Sequence, residues 1–158
     1  MGFIRAAPAL TAAVLCTACA GGGASPLACT EIGAEPGVSV TVGEDMADAI
    51  ENPVLEVCID GCRTYQLELH PGSETVDLGC DSDEPDGSCA GSARPNGTLV
   101  GFVSVDGLTA EEIGVTVISG GQYYRTAATP EVVYPNGRGC PGEALQLSLT
   151  LDRGALSA

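Results

Sequence analysis

The segment Val38-Ser39-Val40-Thr41-Val42 alternates apolar and hydroxyl side chains with a period of two. This pattern predicts a β-strand with one buried face, because successive side chains of a strand point to opposite sides of the sheet. The segment Leu145-Gln146-Leu147-Ser148-Leu149-Thr150-Leu151 shows the same alternation near the end of the sequence. Two such segments, each with an apolar and a polar face, indicate an all-β fold.

Seven further segments rich in β-branched and apolar residues lie between these two. They are Val54–Ile59, Arg63–Leu69, Glu74–Leu78, Thr98–Val105, Ile113–Ile118, Gln122–Thr129 and Glu131–Tyr134. Residues that favour turns separate them: Asp60-Gly61, Pro71-Gly72, Asp106-Gly107, Gly120-Gly121 and Pro-Asn-Gly at 95–97 and 135–137. One acidic segment, Glu44–Glu51, is a helix candidate, which a loop or a single turn would explain equally well. Seven to nine short strands at this spacing predict an antiparallel β-sandwich that resembles the immunoglobulin fold in architecture.

The N-terminal residues have the layout of a secretory signal peptide. One basic residue, Arg5, precedes an apolar run from Ala6 to Val14, and small residues follow. The next five residues, Leu15-Cys16-Thr17-Ala18-Cys19, resemble the lipobox of bacterial lipoproteins, with small Ala18 directly before the cysteine. The resemblance implies that a diacylglycerol is attached to Cys19.

This resemblance divides the chain into three parts. Residues 1–18 are the expected signal peptide, residues 19–28 a lipidated flexible linker, and residues 29–158 the β-sandwich domain. The protein would then lie on the extracytoplasmic face of the cell membrane, anchored by its lipid. Cleavage after Ala20 is the alternative, and it would release a secreted protein.

The charge of the chain excludes one class of partner. Six arginines and no lysine face 21 acidic residues, giving a formal net charge of −15 at pH 7. A surface of this sign repels the phosphate backbone, so nucleic-acid binding is not expected. The abundance of Ala and Gly, with Arg as the sole basic residue type, resembles proteins of high-GC bacteria, including actinobacteria. Through its signal and lipobox, the chain resembles the short acidic lipoproteins of such bacteria, a likeness that implies a location and no activity.

Six cysteines fall within the predicted domain, and an even number in an exported chain predicts disulfides. Cys58 and Cys62 flank Ile59-Asp60-Gly61, which indicates a bulged hairpin turn with Gly61 in a left-handed conformation. In that register Leu55 lies opposite Tyr65 and Val57 opposite Arg63 on one face. Glu56 and Thr64 share the other face with the two cysteines. We therefore predict a Cys58–Cys62 disulfide on the polar face.

The other two disulfides follow from the positions of the remaining cysteines. Cys80 and Cys89 bracket a polar loop that packing alone would not hold, so we predict a bond across its base. Cys29 and Cys140 remain, and their bond would close a loop of more than a hundred residues.

Two metal sites are candidates. Cys58, Cys62 and the single histidine, His70, loosely resemble the copper site of membrane-tethered Sco-type proteins, and soft thiolates with an imidazole suit copper. The predicted disulfide hairpin is the competing interpretation of the same cysteines. Asp81, Asp83 and Asp86 precede a glycine in a pattern that suggests a weak calcium loop, for which a solvated acidic loop is the alternative.

No constellation typical of an enzyme is evident, since one histidine next to a predicted turn must serve any acid–base scheme. Tyr123-Tyr124 is an adjacent aromatic pair of which one ring must face outward. We expect a non-enzymatic binding or structural module without a cofactor, whose partner is an extracellular protein or glycan. A copper-binding or thiol-redox accessory lipoprotein using Cys58, Cys62 and His70 is the alternative.

Overall fold

The computed structural model describes residues 29–82 and 87–158. The predicted signal peptide, the predicted lipidation residue Cys19 and the predicted linker that ends at residue 28 lie outside these ranges. Within them, 57% of the residues lie in β-strands and almost none in helix. Its elements are β1 (Gly37–Val42), α1 (Glu44–Ala47), β2 (Val54–Cys58), β3 (Cys62–Gln66), β4 (His70–Cys80), β5 (Cys89–Ser104), β6 (Ile113–Ser119), β7 (Gln122–Ala128), β8 (Glu131–Val133), β9 (Ala144–Asp152) and β10 (Ala155–Ser157).

The strands form two sheets. Sheet A has the order β10-β9-β1-β5-β4, with β8 also paired to β9, and it curls into a half-barrel. Sheet B has the order β3-β2-β6-β7. The helix candidate at Glu44–Glu51 is a single turn, α1, that follows β1 directly. The predicted all-β class with two sheets is confirmed.

The prediction that all strands are antiparallel is wrong at the centre of sheet A. Strand β1 runs parallel to β9, with Gly37 opposite Gln146 and Val42 opposite Leu151. On its other side β1 is antiparallel to β5. The two segments with the clearest alternation therefore lie side by side. A periodicity reports which face of a strand is buried, but it does not report the direction of the neighbouring strand.

One apolar core joins the inner faces of the two sheets. Val38, Val40 and Val42 of β1 are fully buried, and Leu147, Leu149 and Leu151 of β9 are nearly so. Sheet B contributes Leu55, Val57, Ile113, Val115 and Val117 to the same cluster. The hydroxyl residues of β1 and β9 consequently lie on the outer face of sheet A, as the alternation predicts.

The chain passes from sheet B to sheet A between Gln66 and His70. Here Leu67 is buried, and the backbone packs directly over Gly101 of β5. A Cβ on Gly101 would lie 2.6 Å from the carbonyl oxygen of Glu68. The crossing therefore requires glycine at position 101, since any side chain would displace backbone.

Strands β4 and β5 continue as a two-stranded ribbon whose side chains are nearly all exposed. The predicted turns at Pro71-Gly72 and at Pro95-Asn96-Gly97 are wrong, since the first segment lies inside β4 and the second inside β5. The ladder shifts register between Pro71 and Ser73, and Gly97 has a φ of 78°. Asn96 Oδ1 accepts a hydrogen bond from the Thr98 amide, which stabilises a β-bulge here in place of a turn.

Several predicted hairpins are present. Gly120 and Gly121 have φ values of 56° and 78° and join β6 to β7, so that Ser119 lies opposite Gln122. These angles are those of a type I′ turn. The β2–β3 hairpin has the predicted register, with Leu55 opposite Tyr65 and Cys58 opposite Cys62. Gly61, however, does not take the left-handed conformation that the sequence suggested.

Candidate functional site

A groove of about 530 Å³ lies on sheet A between β5 and the segment that follows β8. Its lining is mainly apolar, with two aromatic residues and two polar residues of the kind that orient a ligand. The residues are Gly33, Ala34, Glu35, Phe102, Val133, Tyr134, Pro135 and Gln146. One wall is formed by residues 29–36, the segment that precedes β1, which we call the strap.

Phe102 forms the wall on the β5 side. Apolar residues occupy both the odd and the even positions near the end of β5, so the sequence shows no alternation there. Val103 and Val105 enter the core, and Phe102 must therefore project from the outer face. Its side chain is 43% exposed. The ring is close to Gly37 of the neighbouring strand, where no side chain separates it from the sheet. The groove therefore has a flat apolar surface at this side.

The strap is fastened at several points. The Cys29–Cys140 disulfide joins its first residue to the loop before β9. Asn136 Nδ2 donates to the carbonyl oxygens of Ile32, at 2.6 Å, and of Pro141, at 2.9 Å. The Ala34 amide donates to the Gly142 carbonyl at 2.9 Å. These bonds fix the wall of the groove before any ligand arrives.

Two polar side chains of the groove also hold its parts together. Gln146 Nε2 donates to the Glu35 carbonyl oxygen at 2.8 Å. The Glu35 carboxylate accepts a hydrogen bond from the Ser104 hydroxyl at 2.9 Å. At the opposite wall, the Arg138 guanidinium lies 4.7 Å from the centroid of the Tyr134 ring, which is a cation–π contact. The groove is thus a largely preformed surface with two aromatic walls, a carboxylate and an amide.

All three disulfides have the predicted pairing: Cys29–Cys140, Cys58–Cys62 and Cys80–Cys89. Cys58 and Cys62 project from the outer face of sheet B, together with Glu56. Cys140 is buried, whereas Cys80 and Cys89 are exposed at the end of the β4–β5 ribbon.

The residues of the predicted copper site are not brought together. His70 begins β4 in sheet A and lies opposite Val100, whereas Cys58 and Cys62 lie in sheet B. Among the described residues, the group of three metal-binding side chains that forms is Glu56, Cys58 and Cys62, with Glu56 in the place that the sequence assigned to His70.

Of the three candidate calcium ligands, Asp83 and Asp86 lie outside the described residues. Asp81 Oδ1 accepts a hydrogen bond from the Ser88 amide at 2.8 Å. The Asp81 amide in turn donates to the Ser88 carbonyl at 3.0 Å. Asp81 therefore closes the base of its loop beside the Cys80–Cys89 disulfide.

The two rings of the Tyr123-Tyr124 pair lie on opposite faces of β7, as expected for neighbouring residues of a strand. Tyr124 packs against the core, and Tyr123 is 56% exposed on the outer face of sheet B. The Arg125 guanidinium lies 4.9 Å from the Tyr123 ring centroid. This exposed ring is well separated in the fold from the groove on sheet A.

Sequence reasoning missed the residues of the groove. Phe102 lies in a run in which Leu99, Val100, Val103 and Val105 are also apolar, so no alternation marks the outward position. The available signal was the polar face of β1: Ser39, which is directly opposite Phe102, belongs to it.

Within the described ranges, no helix has the length and apolar character needed to cross a bilayer.

Comparison with known proteins gives no match among family models, curated proteins or solved structures.

Proposed function

We propose that this protein is an exported, lipid-anchored binding module of immunoglobulin-like type, without enzymatic activity, that binds an extracellular protein or glycan in the groove on sheet A. Export and anchoring are supported by the resemblance of the N-terminal residues to a signal peptide and of the residues up to Cys19 to a lipobox. The observation that carries the binding proposal is the strap, because disulfide and hydrogen bonds fix it as one wall of an aromatic-lined groove. A preformed site loses little conformational entropy when it binds.

The lining suggests how a partner would be held. Phe102 and Tyr134 offer flat apolar surfaces, on which an aromatic or aliphatic side chain or the apolar face of a sugar would pack. The Glu35 carboxylate and the Gln146 amide lie beside them and would orient polar groups of the partner. Few polar groups at fixed positions on an apolar surface are typical of recognition sites.

Site-specific cross-linking in intact cells tests this proposal. A photoreactive phenylalanine analogue replaces Phe102 in one variant and Tyr123 in a control variant, whose ring is similarly exposed on sheet B. We expect a discrete cross-linked product from position 102 and none from position 123. The mass of the product distinguishes a protein partner from a glycan. Equal labelling from both positions, or none from position 102, would contradict the groove as the binding site.

The anchoring is tested separately by the intact mass of the protein isolated from its native membrane fraction. A diacylglyceryl adduct on Cys19 is the expected result. A chain without lipid that begins at Gly21 would instead establish secretion and leave the binding proposal standing.

A further inference from the structure

Three metal-binding side chains cluster on the outer face of sheet B, on the other sheet from the groove. One ligand atom from each of Glu56, Cys58 and Cys62 lies within 4.8 Å of the other two. Glu56 and Cys58 project from the same face of β2, because Leu55 and Val57 enter the core. In the present state Cys58 and Cys62 form a disulfide, so their sulfurs do not serve as thiolate ligands.

The face of the sheet beside the cluster is open. Gly114 lies directly opposite Cys58 on β6. A Cβ on Gly114 would meet the Cys58 Cβ at 3.7 Å and no other atom within 4 Å. Cys62 itself is exposed, and Glu56 and Cys58 are half-buried. A small reductant or a hydrated ion can therefore approach the sulfurs from solvent.

The Cys58–Cys62 bond is also the one whose closure stabilises the fold least, because it spans a separation of four residues. A dithiol opens it by attack on the sulfur of Cys62, the more exposed of the two residues, with Cys58 leaving as a thiolate. The second thiol of the reductant then displaces Cys62 from the mixed disulfide. Two electrons and two protons pass to the protein, and the dithiol becomes a disulfide.

We propose that the reduced β2–β3 hairpin binds a divalent cation of the zinc class through the Cys58 and Cys62 thiolates and the Glu56 carboxylate, with solvent as the fourth ligand. Thiolate and carboxylate oxygen are both zinc ligands. Together the three carry three negative charges, and metal binding releases the two thiol protons.

The hairpin geometry suits this set. Tetrahedral zinc with bonds of about 2.3 Å to sulfur needs its two sulfurs roughly 3.8 Å apart. The Cα atoms of Cys58 and Cys62 are 4.0 Å apart on paired strands, so rotation of the two side chains reaches that separation without movement of the backbone. A carboxylate ligand favours zinc over copper(I), which prefers soft ligands alone.

The test uses cobalt(II) as a spectroscopic probe for the zinc site. The protein carries Cys80→Ala and Cys89→Ala, which remove the disulfide in which both cysteines are exposed. A phosphine reductant opens Cys58–Cys62 without competing as a thiol ligand, and alkylation followed by mass spectrometry identifies which cysteines are free. We expect one cobalt per reduced chain, with a thiolate charge-transfer band and tetrahedral d–d bands, and displacement of cobalt by zinc. The oxidised protein should show no such bands.

Three further variants assign the ligands. Cys58→Ser/Cys62→Ser should abolish the bands whichever other disulfide opens. Glu56→Gln should weaken cobalt binding by at least about tenfold, while His70→Ala should leave it unchanged. Circular dichroism of each reduced variant reports whether the sheet is retained. Absent bands in the reduced background would overturn the site. Bands that survive the double serine variant, or that depend on His70 and not on Glu56, would also overturn it.

Discussion

The ring of Phe102 on β5 lies across Gly37 on β1, so that a Cβ added to Gly37 would lie 2.4 Å from Cζ of the ring. Gly37 is not the residue opposite Phe102 in the ladder, which is Ser39. The ring therefore reaches diagonally to the next residue on the same face of β1. The missing side chain at position 37 allows the ring to rest against the sheet and to form a fixed wall of the groove.

Gly37→Ala should destabilise the fold more than Phe102→Ala does. The added Cβ would lie 2.4 Å from the Val103 carbonyl oxygen as well as against the ring, and overpacking of this kind costs about 1–3 kcal/mol. Removal of the partly exposed Phe102 ring should cost no more than about 1 kcal/mol. Urea unfolding measures both. A Phe102→Ala loss that equals or exceeds the Gly37→Ala loss would show that the ring belongs to the core and not to a binding surface.

Gly101→Ala should lower the free energy of unfolding by about 1–3 kcal/mol, since its Cβ would lie 2.6 Å from the Glu68 carbonyl oxygen. Gly114→Ala is the matched control, because its Cβ would make an ordinary contact of 3.7 Å. There the substitution should be neutral or stabilising by up to about 1 kcal/mol. Similar effects of the two substitutions would contradict the close crossing of Leu67–Leu69 over β5.

The three disulfides should differ in their contribution to stability. In the chain-entropy model, the Cys29–Cys140 bond, with a separation of 111 residues, contributes about 5 kcal/mol, whereas Cys58–Cys62, with a separation of 4, contributes about 2 kcal/mol. Alanine replacement of each pair, followed by denaturant unfolding, measures the difference. Loss of Cys29–Cys140 should also increase hydrogen exchange at the Ala34 amide, which belongs to the strap and donates to the Gly142 carbonyl oxygen. The prediction fails if both double variants lose the same stability.

Arg153→Asn should leave stability unchanged or raise it by up to about 1 kcal/mol. Arg153 and Gly154 have φ values of 48° and 77° in the β9–β10 hairpin, and Asn-Gly is the favoured pair for this turn. The lost ion pair with Asp152 is exposed and therefore worth little. Arg153→Val is the contrasting variant, since a β-branched residue with positive φ is strained. In thermal unfolding, the Tm of Arg153→Asn should lie at or above that of the parent protein, and the Tm of Arg153→Val should lie below it. Equal Tm values for the two variants would contradict the left-handed conformation at position 153.

The sequence was informative where the local chain determines its own geometry. Gly120-Gly121 specifies a two-residue hairpin, and the spacing of Cys58 and Cys62 places them opposite each other with the predicted neighbours. The Cys80–Cys89 disulfide followed from the same kind of local reasoning, and Cys29–Cys140 followed because those two cysteines remained. The alternation at Val38–Val42 identified the buried face of β1 correctly.

The features that the sequence did not predict depend on contacts between segments that are distant in the chain. Pro-Asn-Gly forms a turn at 135–137, where the Gly137 amide donates to the Tyr134 carbonyl, but a bulge at 95–97, where β4 supplies a partner strand. The tripeptide cannot report which strand will lie beside it. The turn at Arg153-Gly154 was missed because arginine does not mark a left-handed position. The groove was missed for a similar reason, since the strap and β5 are brought together by the fold and are distant in sequence.

The parallel ladder between β1 and β9 has a consequence for how this protein is made. The central strand of sheet A is complete only when a segment about a hundred residues further along the chain has been synthesised. Contacts of such long range slow folding, because the loop between them must close before they form. A nascent chain that lacks β9 thus retains an unfinished sheet. Such a delay would suit the export proposed above, since a chain that has not finished folding can still pass through a narrow channel in extended form.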